Sequence, residues 1–201
     1  MATKALRPEL HISVYDNANV PTKLLAVAEE QVHRIFYQAG VEVLWRNCSE
    51  KSEDTQIAGC HAVGSTYLIL KILPNAKSEL VRDRIDVLGV SLLNEDGVGF
   101  YGFVFYDRIR QMAEKRRLTS TLLGHVLAHE IGHLVLRSNS HSISGIMSGR
   151  WVSGDLQRMS EGSMFFMADE SRVMCERLWS VSIKPSPGTD RQSSLRVGGL
   201  R

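Results

Sequence analysis

The sequence predicts an α+β domain with an α/β-like N-terminal part: about five strands, an early helix, a long buried helix and a C-terminal helix. Three observations lead there. Residues 10–45 read as strand, helix and strand in turn, short apolar runs of strand character follow at 67–73, 87–93 and 100–106, and a strongly apolar helical stretch comes only after them. With 201 residues, 43% of them hydrophobic, the chain can bury one ordinary core. The expected division is an N-terminal extension over 1–9, the folded domain over 10–183 and a disordered tail over 184–201, where Pro, Ser, Gly and Arg recur without periodicity.

Leu10 to Asp16 alternates as a strand, and Asn17 and Asn19 supply turn residues. Pro21 suits the first turn of a helix, where its missing N–H costs nothing. Leu24, Leu25, Ala28, Val32, Ile35, Phe36 and Ala39 recur at helical spacing up to Gly40, the C-cap. Val41 to Trp45 is the next strand, and this β-α-β opening implies a parallel pair. A polar loop over 46–64 precedes the strand Tyr67–Leu73, closed by Pro74-Asn75, and residues 75–86 suit a turn or short helix. Val87–Leu93 and Phe100–Tyr106 are strands joined by the turn Asn94-Glu95-Asp96-Gly97, and Asp107–Glu114 is a short helix. Thr119 or Ser120 caps the buried helix, and Ser171–Trp179 is the clearest of the later helical stretches.

The bulk properties exclude some functions. A formal charge of +2 and a single short basic cluster, Lys115-Arg116-Arg117, give no footprint for nucleic acid. No apolar run approaches the roughly 18–20 residues of a membrane span. The start MATKALRPEL lacks the apolar centre of a signal peptide, so the chain as it stands reads as cytoplasmic; secretion stays open if its true start lies elsewhere. Cys48 and Cys60 could close a small loop, but free buried thiols are the expectation for a reducing compartment, and no C-x-x-C spacing suggests a cysteine metal site.

The chemistry gathers in one stretch. His129-Glu130-Ile131-Gly132-His133 is an H-E-x-x-H pattern within the buried helix. Residues four apart share a helix face, so His129 and His133 can aim two imidazoles at one point, with Glu130 about 100° around the axis. Two nitrogen ligands beside a carboxylate suit a catalytic Zn2+ site, which takes three protein ligands and keeps one position open. His141 is the expected third ligand, swung back by a turn at Ser138 or Asn139. His125 lies about 12 Å along the axis from His133 and reads as structural. Asp155, Glu161, Asp169 and Glu170 are the carboxylate alternatives. His11, His33 and His61 read as surface or satisfied core histidines, Tyr101 and Tyr106 as core aromatics that could reach the cleft, and Phe165 and Phe166 as packing beneath the helix.

HEIGH, a nearby histidine and then Ser144-Gly145-Ile146-Met147 together resemble the metzincin clan of zinc endopeptidases, whose signature is H-E-x-x-H-x-x-G-x-x-H with a downstream methionine turn. The family glycine falls at Leu136 and the family histidine at Asn139, so this chain needs a loop two residues longer to deliver His141. The resemblance spans roughly residues 10–180, is specific only over 129–147, and is nearest to small, minimally decorated members. It implies a metzincin-like mixed twisted sheet, a Met147 floor beneath the metal and a substrate-pairing edge strand at Leu88, Gly89 and Val90. The implied activity is hydrolysis of peptide or protein substrates by a zinc-activated water, with Glu130 as general base. The alternatives are a catalytically silent module of the same fold that binds a peptide or partner, and a hydrolase of non-peptide amides.

Overall fold

A computed structural model of the chain describes residues 6–48, 60–75, 81, 86–113 and 118–182. The tail at 184–201, the middle of the 46–64 loop, most of 75–86 and the basic cluster at 115–117 lie outside the described residues.

The first strand, β1 (Glu9–Asp16), alternates Leu10, Ile12 and Val14 towards the core with His11, Ser13 and Tyr15 on the other face. The Asp16 carboxylate accepts from the N–H groups of Ala18 and Val20 at 3.0 and 2.8 Å, and this turn delivers the chain into α1 (Thr22–Gln38). Pro21 stands just before the first turn and its carbonyl accepts from Leu24 and Leu25. Gly40 follows the helix at φ 87°, in the left-handed region where glycine carries no Cβ penalty. Then β2 (Glu42–Cys48) pairs parallel with β1, as a β-α-β opening requires, and runs three residues past the expected end at Trp45.

The remaining strands are β3 (Tyr67–Leu73), β4 (Gly89–Leu92) and β5 (Tyr101–Phe105), in the sheet order β2-β1-β3-β5-β4. All neighbours pair parallel except β4, which runs antiparallel to β5 and forms one edge. β4 is shorter than the span Val87–Leu93; Leu88 lies just before it, its carbonyl accepting from Phe105. Among the described residues five helices complete the fold: α1, α2 (Tyr106–Ala113), α3 (Thr119–Leu136), α4 (Ser153–Ser160) and α5 (Ala168–Ser182). The α+β expectation therefore holds, with a five-stranded mixed sheet. Among the described residues no helix is long and apolar enough to cross a membrane.

α3 is the spine of the core. Leu122, Leu123, Val126, Leu127, Ile131 and Leu134 pack in the same cluster as the inward residues of β1 and β3 and the buried face of α1. Burying several such side chains, at about 1.5–3 kcal/mol each, holds the helix where local signals do not. Thr119 is helical and not a cap; Leu118 precedes the helix and no side chain caps its end. At the far end Arg137, and neither Ser138 nor Asn139, turns the chain at φ 49°, ψ 44°. A left-handed non-glycine residue costs about 1–2 kcal/mol. Against that cost the Arg137 and Ser138 N–H groups both donate to the His133 carbonyl, and the Arg177 guanidinium donates to the Leu136 carbonyl.

The expectation of free thiols is wrong for Cys48 and Cys60, which form a disulfide with Cα atoms 5.9 Å apart. The topology explains it: Cys48 ends β2 opposite Tyr15 of β1, and the Tyr15 hydroxyl donates to the Cys60 carbonyl at 3.1 Å, so both cysteines are held beside one residue. Closing a loop with a sequence separation of 12 should contribute about 3 kcal/mol through the unfolded state. Replacing both cysteines with alanine should therefore lower the unfolding free energy by about 3 kcal/mol in chemical denaturation. An unchanged denaturation midpoint would show that the bridge is not formed.

Candidate metal centre

The H-E-x-x-H pair is brought together as its spacing predicts. His129 and His133 lie one turn apart on α3, with Nε2 atoms 3.0 Å from each other. Their far nitrogens determine what that contact is. Nδ1 of His129 lies 2.7 Å from the Ile146 carbonyl oxygen, and Nδ1 of His133 lies 2.6 Å from that of Ser138. A carbonyl only accepts, so in the neutral rings each Nδ1 carries the proton and each Nε2 presents a lone pair. Two acceptors therefore face one another, an arrangement that calls for a cation between them.

Protonating the rings would relieve the repulsion, but burial opposes it. The His129 imidazole is driven down to about 3, first by burial and then by the charge His133 would carry. Burial likewise pushes His133 below its ordinary value. Neutral imidazoles with their outer nitrogens tied to carbonyls are the form that binds a transition metal.

His141 completes the group. Its ring lies 5.3 Å from that of His129 and 5.0 Å from that of His133. Among the described residues these three form the one cluster of potential ligands, their ligating atoms all within 4.8 Å of one another. The longer loop thus reaches the pair. It does so because Ser142 N–H donates to the Met147 carbonyl at 2.8 Å, while the Glu170 carboxylate accepts from the Ser142 hydroxyl and from Met167 N–H. Gly149 is also required: a Cβ there would lie 2.9 Å from Cγ of His141. Three nitrogens and no carboxylate are a donor set suited to zinc.

The carboxylate alternatives are occupied elsewhere. Asp155 accepts from Val152 N–H at 2.8 Å at the start of α4 and pairs with Arg158, Glu161 accepts from Gln157, and Asp169 faces Arg172. Glu170 serves the loop, as described above. His125 is fully buried, its Nδ1–H donating to the Thr121 carbonyl at 2.7 Å, and burial lowers it to about 4. It belongs to the three-histidine cluster in no way. His11 stacks on Tyr67, His33 meets Glu42 and His61 meets the Tyr15 hydroxyl, so each has a local partner away from the site.

Glu130 is 4% exposed. Burial pushes its carboxyl up to about 8, against the lowering effect of a hydrogen bond from Ser91. The Ser91 hydroxyl on β4 lies 2.7 Å from Oε2. Beneath the pair, Met147 is 1% exposed and rests on Gly132, where a Cβ would come within 2.4 Å of the Met147 sulfur. Phe166 packs under the same glycine, and Phe165 lies beside Arg34. Trp151 meets the His129 ring edge to face at 5.6 Å. Tyr106 belongs to the core, while Tyr101 follows the strand alternation to the face away from Gly102 and α3, so neither reaches the cleft.

Sequence reasoning missed Ser91, Gly149, Gly132 and Trp151 as parts of this site. Gly132 carried a signal, since an isolated glycine inside a helix has a packing or functional reason, whereas Gly149 lies in an irregular turn and carried none. Ser91 and Trp151 carried none without the fold. Gly149→Ala should displace the His141 ring and weaken zinc binding by roughly 10–100-fold with the unfolding transition retained. Equilibrium dialysis against zinc checks this, and wild-type affinity in the variant would place His141 outside the site.

No protein-family model matches the chain, and no curated protein matches it in sequence. Solved structures do. The crystal structure of archaemetzincin from Methanopyrus kandleri superposes with a TM-score of 0.56 at 15% sequence identity, covering 89% of this chain and 99% of that one. At that identity the likeness speaks for the fold: the mixed five-stranded sheet with its five helices is an archaemetzincin-like fold.

Proposed function

We propose that this chain is a zinc-dependent metallopeptidase that hydrolyses peptide bonds. The observation that carries the proposal is the pair of Nε2 lone pairs held 3.0 Å apart by Nδ1–H bonds to the Ile146 and Ser138 carbonyls. That spacing is near the roughly 3.3 Å edge of a tetrahedron of nitrogens around zinc. His129, His133 and His141 would hold the ion, and the archaemetzincin-like fold supports the same reading. When bound, zinc supplies Lewis-acid chemistry, making water a better nucleophile near neutral pH and polarising a carbonyl.

The rest is the work of the chain. Glu130, beside the ligand pair, takes the proton from the attacking water on its carboxylate and passes it to the departing amine. Its burial suits that task, because a carboxyl raised towards neutrality holds a transferred proton more readily. A dication close by favours the ionised form, so the loaded site lowers the carboxyl again. Met147 forms an apolar floor that stays off the metal. β4 forms an edge of the sheet among the described residues, and an extended peptide would add there as a further strand, along Leu88, Gly89 and Val90.

Zinc content and cleavage of an unstructured protein, with and without a chelator, test the proposal together. One equivalent of zinc and chelator-sensitive cleavage are expected. Glu130→Gln should keep the zinc and lose turnover by 10²-fold or more. Full activity in that variant would remove Glu130 as base, and zinc without cleavage in any substrate set would favour a binding module instead.

A further inference from the structure

The strand that the peptidase reading gives to substrate also grips the proposed base. β4 turns two alternate positions, Gly89 and Ser91, towards α3 where Glu130 lies. Ser91 is buried, with its Oγ 2.7 Å from Glu130 Oε2 and 2.8 Å from the Glu130 main-chain carbonyl. A hydroxyl has one hydrogen, so it donates to one of these acceptors at a time. Both belong to Glu130, and either choice ties β4 to that residue. Among the described residues Ser91 is the only hydrogen-bonding partner of this buried carboxylate.

Gly89 acts by what it lacks. A Cβ there would sit 2.6 Å from Glu130 Oε1, 2.8 Å from Cγ and 2.9 Å from Cδ. Gly102, on the neighbouring strand, leaves the Cβ of Glu130 3.6 Å from where its own Cβ would be. Among the described residues the carboxylate thus lies against the bare backbone of Gly89 and has one polar contact, a serine. A glutamate has three side-chain torsions, and without that contact its carboxyl would sample several positions. A displacement of about 1 Å at a reacting group can cost 10²-fold in rate.

We infer that Ser91 is a positioning residue for Glu130, and that Gly89 is bare so the carboxylate can lie against the substrate-pairing edge. The base is thereby held by the same strand on which an extended peptide would add. This rests on the peptidase reading. A serine that merely pinned strand to helix would be felt in stability and not in turnover.

The test compares wild type, Ser91→Ala, Ser91→Thr and Gly89→Ala for zinc stoichiometry, thermal unfolding and steady-state cleavage. Ser91→Ala should keep its zinc and its cooperative unfolding while kcat falls about 10–100-fold and KM changes by less than about twofold. Ser91→Thr, which keeps the hydroxyl, should recover most of the loss, and Gly89→Ala should lower kcat at least as far. Wild-type kcat in Ser91→Ala, or a loss carried by KM or by zinc content, would overturn the inference. Should wild type itself cleave nothing, the peptidase reading falls, and a stability cycle over Ser91→Ala, Glu130→Ala and the double variant in metal-free protein still decides the contact. Non-additive unfolding energies would support it and additive ones would overturn it.

Discussion

Everything around the site depends on two lone pairs that the fold holds together against their repulsion. The carbonyls of Ile146 and Ser138 take the Nδ1 protons of His129 and His133, which leaves both Nε2 atoms as acceptors in contact. Burial keeps the rings neutral, so no proton relieves the conflict. Each orienting carbonyl lies in the chain that follows α3, one just past its end and one in the turn before Met147. The segment that carries His141 therefore also sets the direction of the other two rings. Candidate ligand and orienting carbonyls arrive on the same piece of chain.

That segment is held by unlike means along its length. Its start is a left-handed arginine steadied by Arg177 from α5. Its middle is tied to Glu170 at the beginning of α5, and its end is anchored where Ile146 N–H donates to the Phe165 carbonyl at 3.1 Å. α5 thus serves the start and the middle of the loop, and the stretch just before it holds the end. On the opposite side the edge strand β4 supplies the contact to Glu130. The three histidines sit between a loop held largely from α5 and the Glu130 carboxylate held from β4, with the apolar spine of α3 joining them.

The strands and helices were legible because their periodicities were strong: Tyr67–Leu73 falls where its run of apolar residues ends on both sides, and the β-α-β opening pairs parallel. His129, Glu130 and His133 were legible because helical spacing alone decides their neighbourhood. His141 could be named as a candidate to join the pair, but its turn could not, since nothing local makes Arg137 adopt the left-handed region; the compensating Arg177 lies 40 residues on in sequence. The disulfide was misjudged for a similar reason. Redox expectation was weighed without knowing that Tyr15 and β1 bring Cys48 and Cys60 together. Ser91 is the extreme case: a serine in a strand is unremarkable until the opposite helix is placed, and then it faces the one buried carboxylate beside the ligand pair.

Anomalous diffraction at the zinc edge from crystals of zinc-soaked protein is the decisive measurement. One strong peak per chain is expected, bonded by Nε2 of His129 and His133 and by an imidazole nitrogen of His141. A peak completed by a carboxylate in place of His141, or no peak between the two facing nitrogens, would contradict it.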